Sequence, residues 1–152
     1  MILRVTLAII FCFLVISCSK DKKIVYEPSA KVDAFAIYEE ALEAFEVNDF
    51  FYASKKFSEA EVNFENIDLA AKSAIMSSFS LYGINFYTEA LENLNRYLKK
   101  YPADRNVIYA HYLIAIIYFE QISDEKKDLE PLIKADNKID FFLKSYPNSE
   151  YA

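Results

Sequence analysis

The chain has 152 residues, with 17 Lys or Arg against 23 Asp or Glu, a formal charge of −6 at pH 7. That length is one ordinary domain, and an acidic chain without a basic patch is a poor candidate for nucleic acid. One glycine, one histidine and two cysteines leave no glycine-rich phosphate loop, no His-based metal site and no catalytic triad, so the composition argues against an enzyme.

The first predicted element is a signal peptide over residues 1–17. Met1-Ile2-Leu3-Arg4 supplies a basic start, Val5 to Ile16 is apolar, and Ser17 is a small residue before a cut. Twelve apolar residues are too few for a spanning helix, which needs roughly 20. The residue after the cut is Cys18, and Leu14-Val15-Ile16-Ser17-Cys18 resembles the lipobox of bacterial lipoproteins. That resemblance implies that Cys18 is acylated and becomes the new N-terminus. A cleaved signal followed by an incidental cysteine is the alternative. Multiple acyl chains, as in such lipoproteins, anchor a protein stably. Ser19 stands where aspartate commonly retains Gram-negative lipoproteins at the inner membrane, so the resemblance points to the outer membrane. Cys12 leaves with the signal, and no thiol then remains for a disulfide, a metal or a nucleophile.

Residues 18–31 read as the lipidated N-terminus and a flexible tether. The stretch is polar, lacks helical periodicity and contains Pro28. Fully stretched, a tether of this length reaches about 40 Å at ~3.3 Å per residue.

From Val32 onward the helical period dominates, and the spacing predicts helices at about 32–47, 50–65, 67–84, 87–101, 106–122 and 131–146. Asn48-Asp49, Asn85, Pro102-Ala103-Asp104 and Pro131 separate them. Asn is second only to Gly as the left-handed residue that ends a helix, and Asn48 and Asn85 fit that role. An internal repeat runs through these helices. Ala41, Ser78 and Ala115 lie 37 residues apart, as do Ala53 and Ala90, Phe57 and Leu94, and Asn48 and Asn85. Tyr101-Pro102 closes the second unit and Tyr146-Pro147 the third. Eight extra residues between Ala115 and Ala135 fall in the charged stretch Gln121 to Glu130. Antiparallel helices approach closely only where side chains are small. Ala41 is therefore expected to face Ala53, Ser78 to face Ala90 and Ala115 to face Ala135. Phe57, Leu94 and Ile139 are expected to fill the holes one turn later.

Small-large alternation with a closing proline resembles the tetratricopeptide repeat. The expected fold is all-α, a tetratricopeptide-repeat solenoid of three antiparallel helix pairs over residues 32–152, with units at about 32–66, 67–104 and 105–152. The lipobox and tether, Tyr38-Glu39-Glu40-Ala41-Leu42, Asn106-Val107-Ile108-Tyr109 and the closing Tyr146-Pro147-Asn148-Ser149-Glu150-Tyr151-Ala152 together resemble the BamD family of outer-membrane lipoproteins. The resemblance covers the whole chain. It implies a periplasm-facing, lipid-anchored subunit of the β-barrel assembly machinery, without cofactor, metal or catalytic residues. The implied partners are outer-membrane lipid, BamA and the other subunits, and unfolded β-barrel proteins, whose C-terminal signal is an aromatic-rich strand. The family carries more helix pairs than the three read here, so the chain reads as C-terminally truncated. The docking surface for BamA lies mostly beyond it, and Phe141, Phe142 and Leu143 are expected to form a sticky uncovered end. The alternative function is a periplasmic scaffold lipoprotein that docks cell-envelope enzymes.

The first helix of each unit carries a second stripe. Phe35, Tyr38, Leu42 and Phe45 become Lys72, Ile75, Phe79 and Tyr82 one period on, then Tyr109, Tyr112, Ile116 and Phe119. Eleven of these twelve are apolar and eight are aromatic. First helices line the concave face of a tetratricopeptide array, which makes the stripe a candidate groove for an extended peptide. The other reading is packing of first helix on first helix. Lys72 is the only basic member, which disfavours a clamp for chaperone tails. His111, on the packing stripe, reads as a hydrogen-bonded structural histidine. Asp124 to Asp128 reads as a solvated loop, with contact to a partner lipoprotein as its functional alternative.

Overall fold

A computed structural model describes residues 33–122 and 129–152. The signal over 1–17, Cys18, the whole tether over 18–31 and the run Asp124–Asp128 lie outside the described residues. Six helices follow one another: α1 (Ala34–Glu46), α2 (Phe50–Asn63), α3 (Ile67–Gly83), α4 (Tyr87–Lys100), α5 (Val107–Glu120) and α6 (Glu130–Ser145). Each lies within a few residues of its expected place.

Local chemistry sets the boundaries. The Asp33 carboxylate accepts from the Phe35 amide at 3.0 Å and so caps α1, and Asn66 accepts from Leu69 N at 3.0 Å to cap α3. Asn48 and Asn85 take φ of 63° and 61°, the left-handed closure expected of them. Behind Asn48 the Asp49 amide returns to Ala44 O at 2.9 Å, and behind Asn85 the Phe86 amide returns to Leu81 O at 2.9 Å. Both helices therefore end in the same six-to-one bond that satisfies an orphan carbonyl. Asp49 also caps α2, its carboxylate accepting from Tyr52 N at 3.2 Å.

Packing runs from each helix to the next in the chain, as in a helical-repeat solenoid. Ala41, Ala53, Ser78 and Ala90 are fully buried, and Ala115 and Ala135 almost so. Phe57 and Leu94 fill the holes beside them and are also fully buried. Ile139 does not follow them and is 37% exposed; Phe142, at 4%, holds the place that Ala60 and Tyr97 bury in the earlier units. Phe141 and Leu143 are 45% and 47% exposed. Two apolar clusters form the interior. One holds Ile37, Tyr38, Phe57 and their small neighbours between α1 and α2. The other holds Leu94, Tyr97, Leu113, Ile114 and Ile117 across α3, α4 and α5.

One ionic knot joins the first unit to the second. Glu61 of α2 is 3% exposed. Arg96 donates to both its oxygens at 2.6 and 2.7 Å, Lys100 donates at 2.9 Å, and the Tyr101 hydroxyl donates at 2.9 Å. The knot ties the end of α4 to α2.

Candidate functional site

The first helices α1, α3 and α5 meet through their rings. Phe45 of α1 lies 5.9 Å from Phe79 of α3, and Phe79 lies 6.4 Å from Tyr109 of α5. A groove of about 460 Å³ opens over this ladder, with Ile75 and Met76 in its floor. Lys72, Arg105 and Asn106 stand at its edge, and Tyr151 closes one side. Lys72 and Arg105 also line a polar recess of about 330 Å³ with Asp68 and Asp104.

The structure thus brings Phe45, Lys72, Phe79 and Tyr109 of the stripe into one groove and disposes of the others differently. Tyr38 is buried, its ring edge-on to Phe57 at 5.4 Å and Phe64 at 6.0 Å. It is packing, although the Lys72 ammonium rests 5.4 Å above its ring. Phe35 is 58% exposed and lines a separate cavity of about 540 Å³ with Phe64 and Asn66. The Tyr82 hydroxyl donates to Glu120 Oε1 at 2.7 Å, and Tyr87 donates to Oε2 of the same carboxylate at 2.9 Å. Its bond to Glu120, with burial second, pushes the Tyr82 phenol up to about 12. Tyr112 lies under Tyr151, the rings stacked at 4.8 Å. Phe119 is 57% exposed near the far end of α5, outside the groove lining. The stripe is therefore part packing and part open surface.

Burial first, and then the neighbouring phenols of Tyr151, Tyr112 and Tyr82, push the Tyr109 phenol up to about 12. It stays a neutral hydrogen-bonding group on an apolar wall. His111 packs against Phe141 at 5.1 Å and Tyr146 at 5.7 Å. Burial and then the charge of Lys138 push its pKa down, which favours the neutral ring in this aromatic packing. Among the described residues no three His, Cys, Asp or Glu side chains converge on a metal position.

Arg105, Asn106, Met76 and Tyr151 belong to the groove but not to the stripe read from the repeat. Arg105 and Asn106 sit in the turn between α4 and α5, where helical periodicity carries no information. Met76 neighbours the stripe on α3. Tyr151 stood in the sequence only as part of a closing signature. An apolar, ring-lined groove with an amide and two cations at its edge can hold an extended peptide. It would do so by its aromatic side chains and one carboxylate.

A family model described as YfiO, outer membrane lipoprotein, matches residues 30–152. The chain is 34% identical over 96 residues to the outer membrane protein assembly factor BamD of Caulobacter vibrioides, covering 63% of this chain and 32% of that protein. It is 24% identical over 133 residues to the assembly factor BamD of Rickettsia prowazekii, covering 88% of this chain and 51% of that one. The chain therefore spans between a third and a half of the length of these relatives.

Proposed function

Because the chain belongs to the YfiO family of outer-membrane lipoproteins, we propose that it serves as a non-catalytic subunit of the machinery that assembles β-barrel proteins in that membrane. Its two relatives are named as outer membrane protein assembly factors, which supports the reading. In this role it stands on the periplasmic face, tethered by lipid on Cys18. It works beside BamA and receives unfolded barrel proteins. The observation that carries the proposal is the groove of Phe45, Ile75, Phe79 and Tyr109 beside Lys72 and Arg105. A barrel strand presents alternating aromatics and, at its C-terminus, a carboxylate. Rigid rings bury much area at low entropic cost, whereas each exposed ion pair adds only about 0–1 kcal/mol. Ring contacts then dominate the affinity and the cations orient the peptide.

Titration of a synthetic strand peptide ending in Phe tests this. Phe79→Ala and Phe45→Ala should weaken binding more than Lys72→Ala, with helicity unchanged by circular dichroism. Raising the salt should remove only a minor part of the affinity. Aromatic variants that bind like the unsubstituted chain would place the client elsewhere. The anchor has its own test. Cys18→Ala should abolish incorporation of labelled fatty acid, and persistent acyl labelling of that variant would rule Cys18 out.

A further inference from the structure

The groove over the first helices is electrically lopsided. Its lining holds two cations, Lys72 and Arg105, and no carboxylate among the described residues. Both cations are exposed, and both also line the neighbouring polar recess, so they stand at one place. The face of the buried Tyr38 ring holds Lys72 there, 5.4 Å from its ammonium. Of the two acids in that recess, Asp104 is engaged elsewhere. It accepts from the Tyr97 hydroxyl, and from the backbone and side-chain amides of Asn106 at 2.9 and 3.0 Å. Asp68 lines the recess and not the groove.

The rings give this charge a direction. Arg105 lies just before α5 and Tyr109 in its first turn, so the cations mark the α5 end of the ring ladder. From Tyr109 the ladder steps 6.4 Å to Phe79 and then 5.9 Å to Phe45, near the C-terminal end of α1. Side chains on one face of an extended chain repeat every second residue, about 6.6 Å apart. Three rings at these steps therefore match three alternate side chains. At the other end of the ladder the charge is reversed. Helix α1 carries Glu39, Glu40, Glu43 and Glu46 and no Lys or Arg. Glu40 is paired with Lys56 at 3.0 Å, whereas Glu46 directly follows Phe45 and is exposed.

We propose that the groove takes the free C-terminus of an extended peptide, and in one direction only. The terminal carboxylate lies between Lys72 and Arg105. The last side chain lies on Tyr109, and the side chains two and four residues before it lie on Phe79 and Phe45. The peptide then leaves over the acidic end of α1, where its carboxylate would be repelled. That the peptide is a barrel strand rests on the function proposed above; its direction rests on the placement of the charges.

The test uses the whole chain and a strand peptide with aromatics at its last, third-last and fifth-last positions. The peptide carries a fluorophore at its N-terminus, and binding is read by anisotropy. The free acid should bind about threefold to tenfold tighter than the C-terminal amide, the range two exposed ion pairs allow. Added salt should shrink that gap. The double variant Lys72→Gln, Arg105→Gln should bind acid and amide alike. Benzoylphenylalanine at the last position should cross-link to the stretch around Tyr109, and at the fifth-last position to the stretch around Phe45. This cross-link map needs no substitution, so it decides the direction even if the double variant loses helicity. Equal binding of acid and amide to the unsubstituted chain, an acid preference that survives the double variant, or a reversed cross-link order overturns the proposed direction and leaves the client reading standing. If neither acid nor amide binds, the client reading fails and the direction falls with it.

Discussion

At the scale of single residues, backbone conformation explains choices that composition alone leaves puzzling. The chain uses asparagine where φ reaches 63° and 61°, and its only glycine, Gly83, sits inside the helical region of α3. A Cβ at Gly83 would stand 3.3 Å from Phe50 Cδ2, so the missing side chain lets the start of α2 approach closely. The left-handed turn two residues later falls to Asn85, which tolerates αL better than other side-chain-bearing residues. Asn85→Gly should hold or raise the melting temperature. Asn85→Val should lower stability by about 1–2 kcal/mol, read from a denaturant titration with unchanged slope. A Val variant as stable as the unsubstituted chain would mean that the turn can be rebuilt.

Between elements, Glu61 shows how asymmetric a buried ion pair is. Its carboxylate is 1% exposed, while the Arg96 and Lys100 side chains are 42% and 49% exposed. Burial by itself would raise the Glu61 pKa, but donors from Arg96, Lys100 and Tyr101 outweigh it and hold the group below its ordinary 4.5. A buried charge left with no partner costs up to about 3–5 kcal/mol; loss of Arg96 costs a part of that, because Lys100 and Tyr101 still donate to Glu61. Arg96→Leu should therefore destabilise more than Glu61→Leu, which releases two cations that water can take back. A depressed folded pKa stabilises above the unfolded value and loses that stabilisation as pH falls through the folded one. The unsubstituted chain should weaken below about pH 4.5, and Glu61→Leu should flatten that part of the stability curve. Equal losses for the two leucine variants would show that the carboxylate is wetter than its burial implies.

For the whole molecule, stability is a run of neighbour contacts and differs along the chain. Nine residues of α3 are buried, including Ala74, Ser77 and Ser78, whereas α6 buries only Ala135 and Phe142. Native-state hydrogen exchange should find amides of α6 opening first and those of α3 last. Uniform protection across all helices would indicate one cooperative unit in place of a graded array.

Much of this architecture was legible in the sequence, because a solenoid is specified locally. Ala41, Ala53, Ser78 and Ala90 recur at one period, and the close helix approach they permit needs only neighbours in the chain. The same holds for Asn48 and Asn85, whose turns depend on their own φ. Ile139 marks where local pattern stops deciding. Its place in the repeat is the same as that of Phe57 and Leu94, yet it is 37% exposed, whereas Phe142, at the place of Ala60 and Tyr97, is buried as they are. The groove divides in the same way. Periodicity put Phe45, Lys72, Phe79 and Tyr109 on one face. Only tertiary packing buried Tyr38, tied Tyr82 to Glu120 and brought Arg105 and Tyr151 from turns to the groove. Turn residues have no period, and where their side chains go depends on which helices the turn joins. Acylation of Cys18 is the converse case: it is a proposal carried by the Leu14–Cys18 pattern alone, and Cys18 lies outside the described residues.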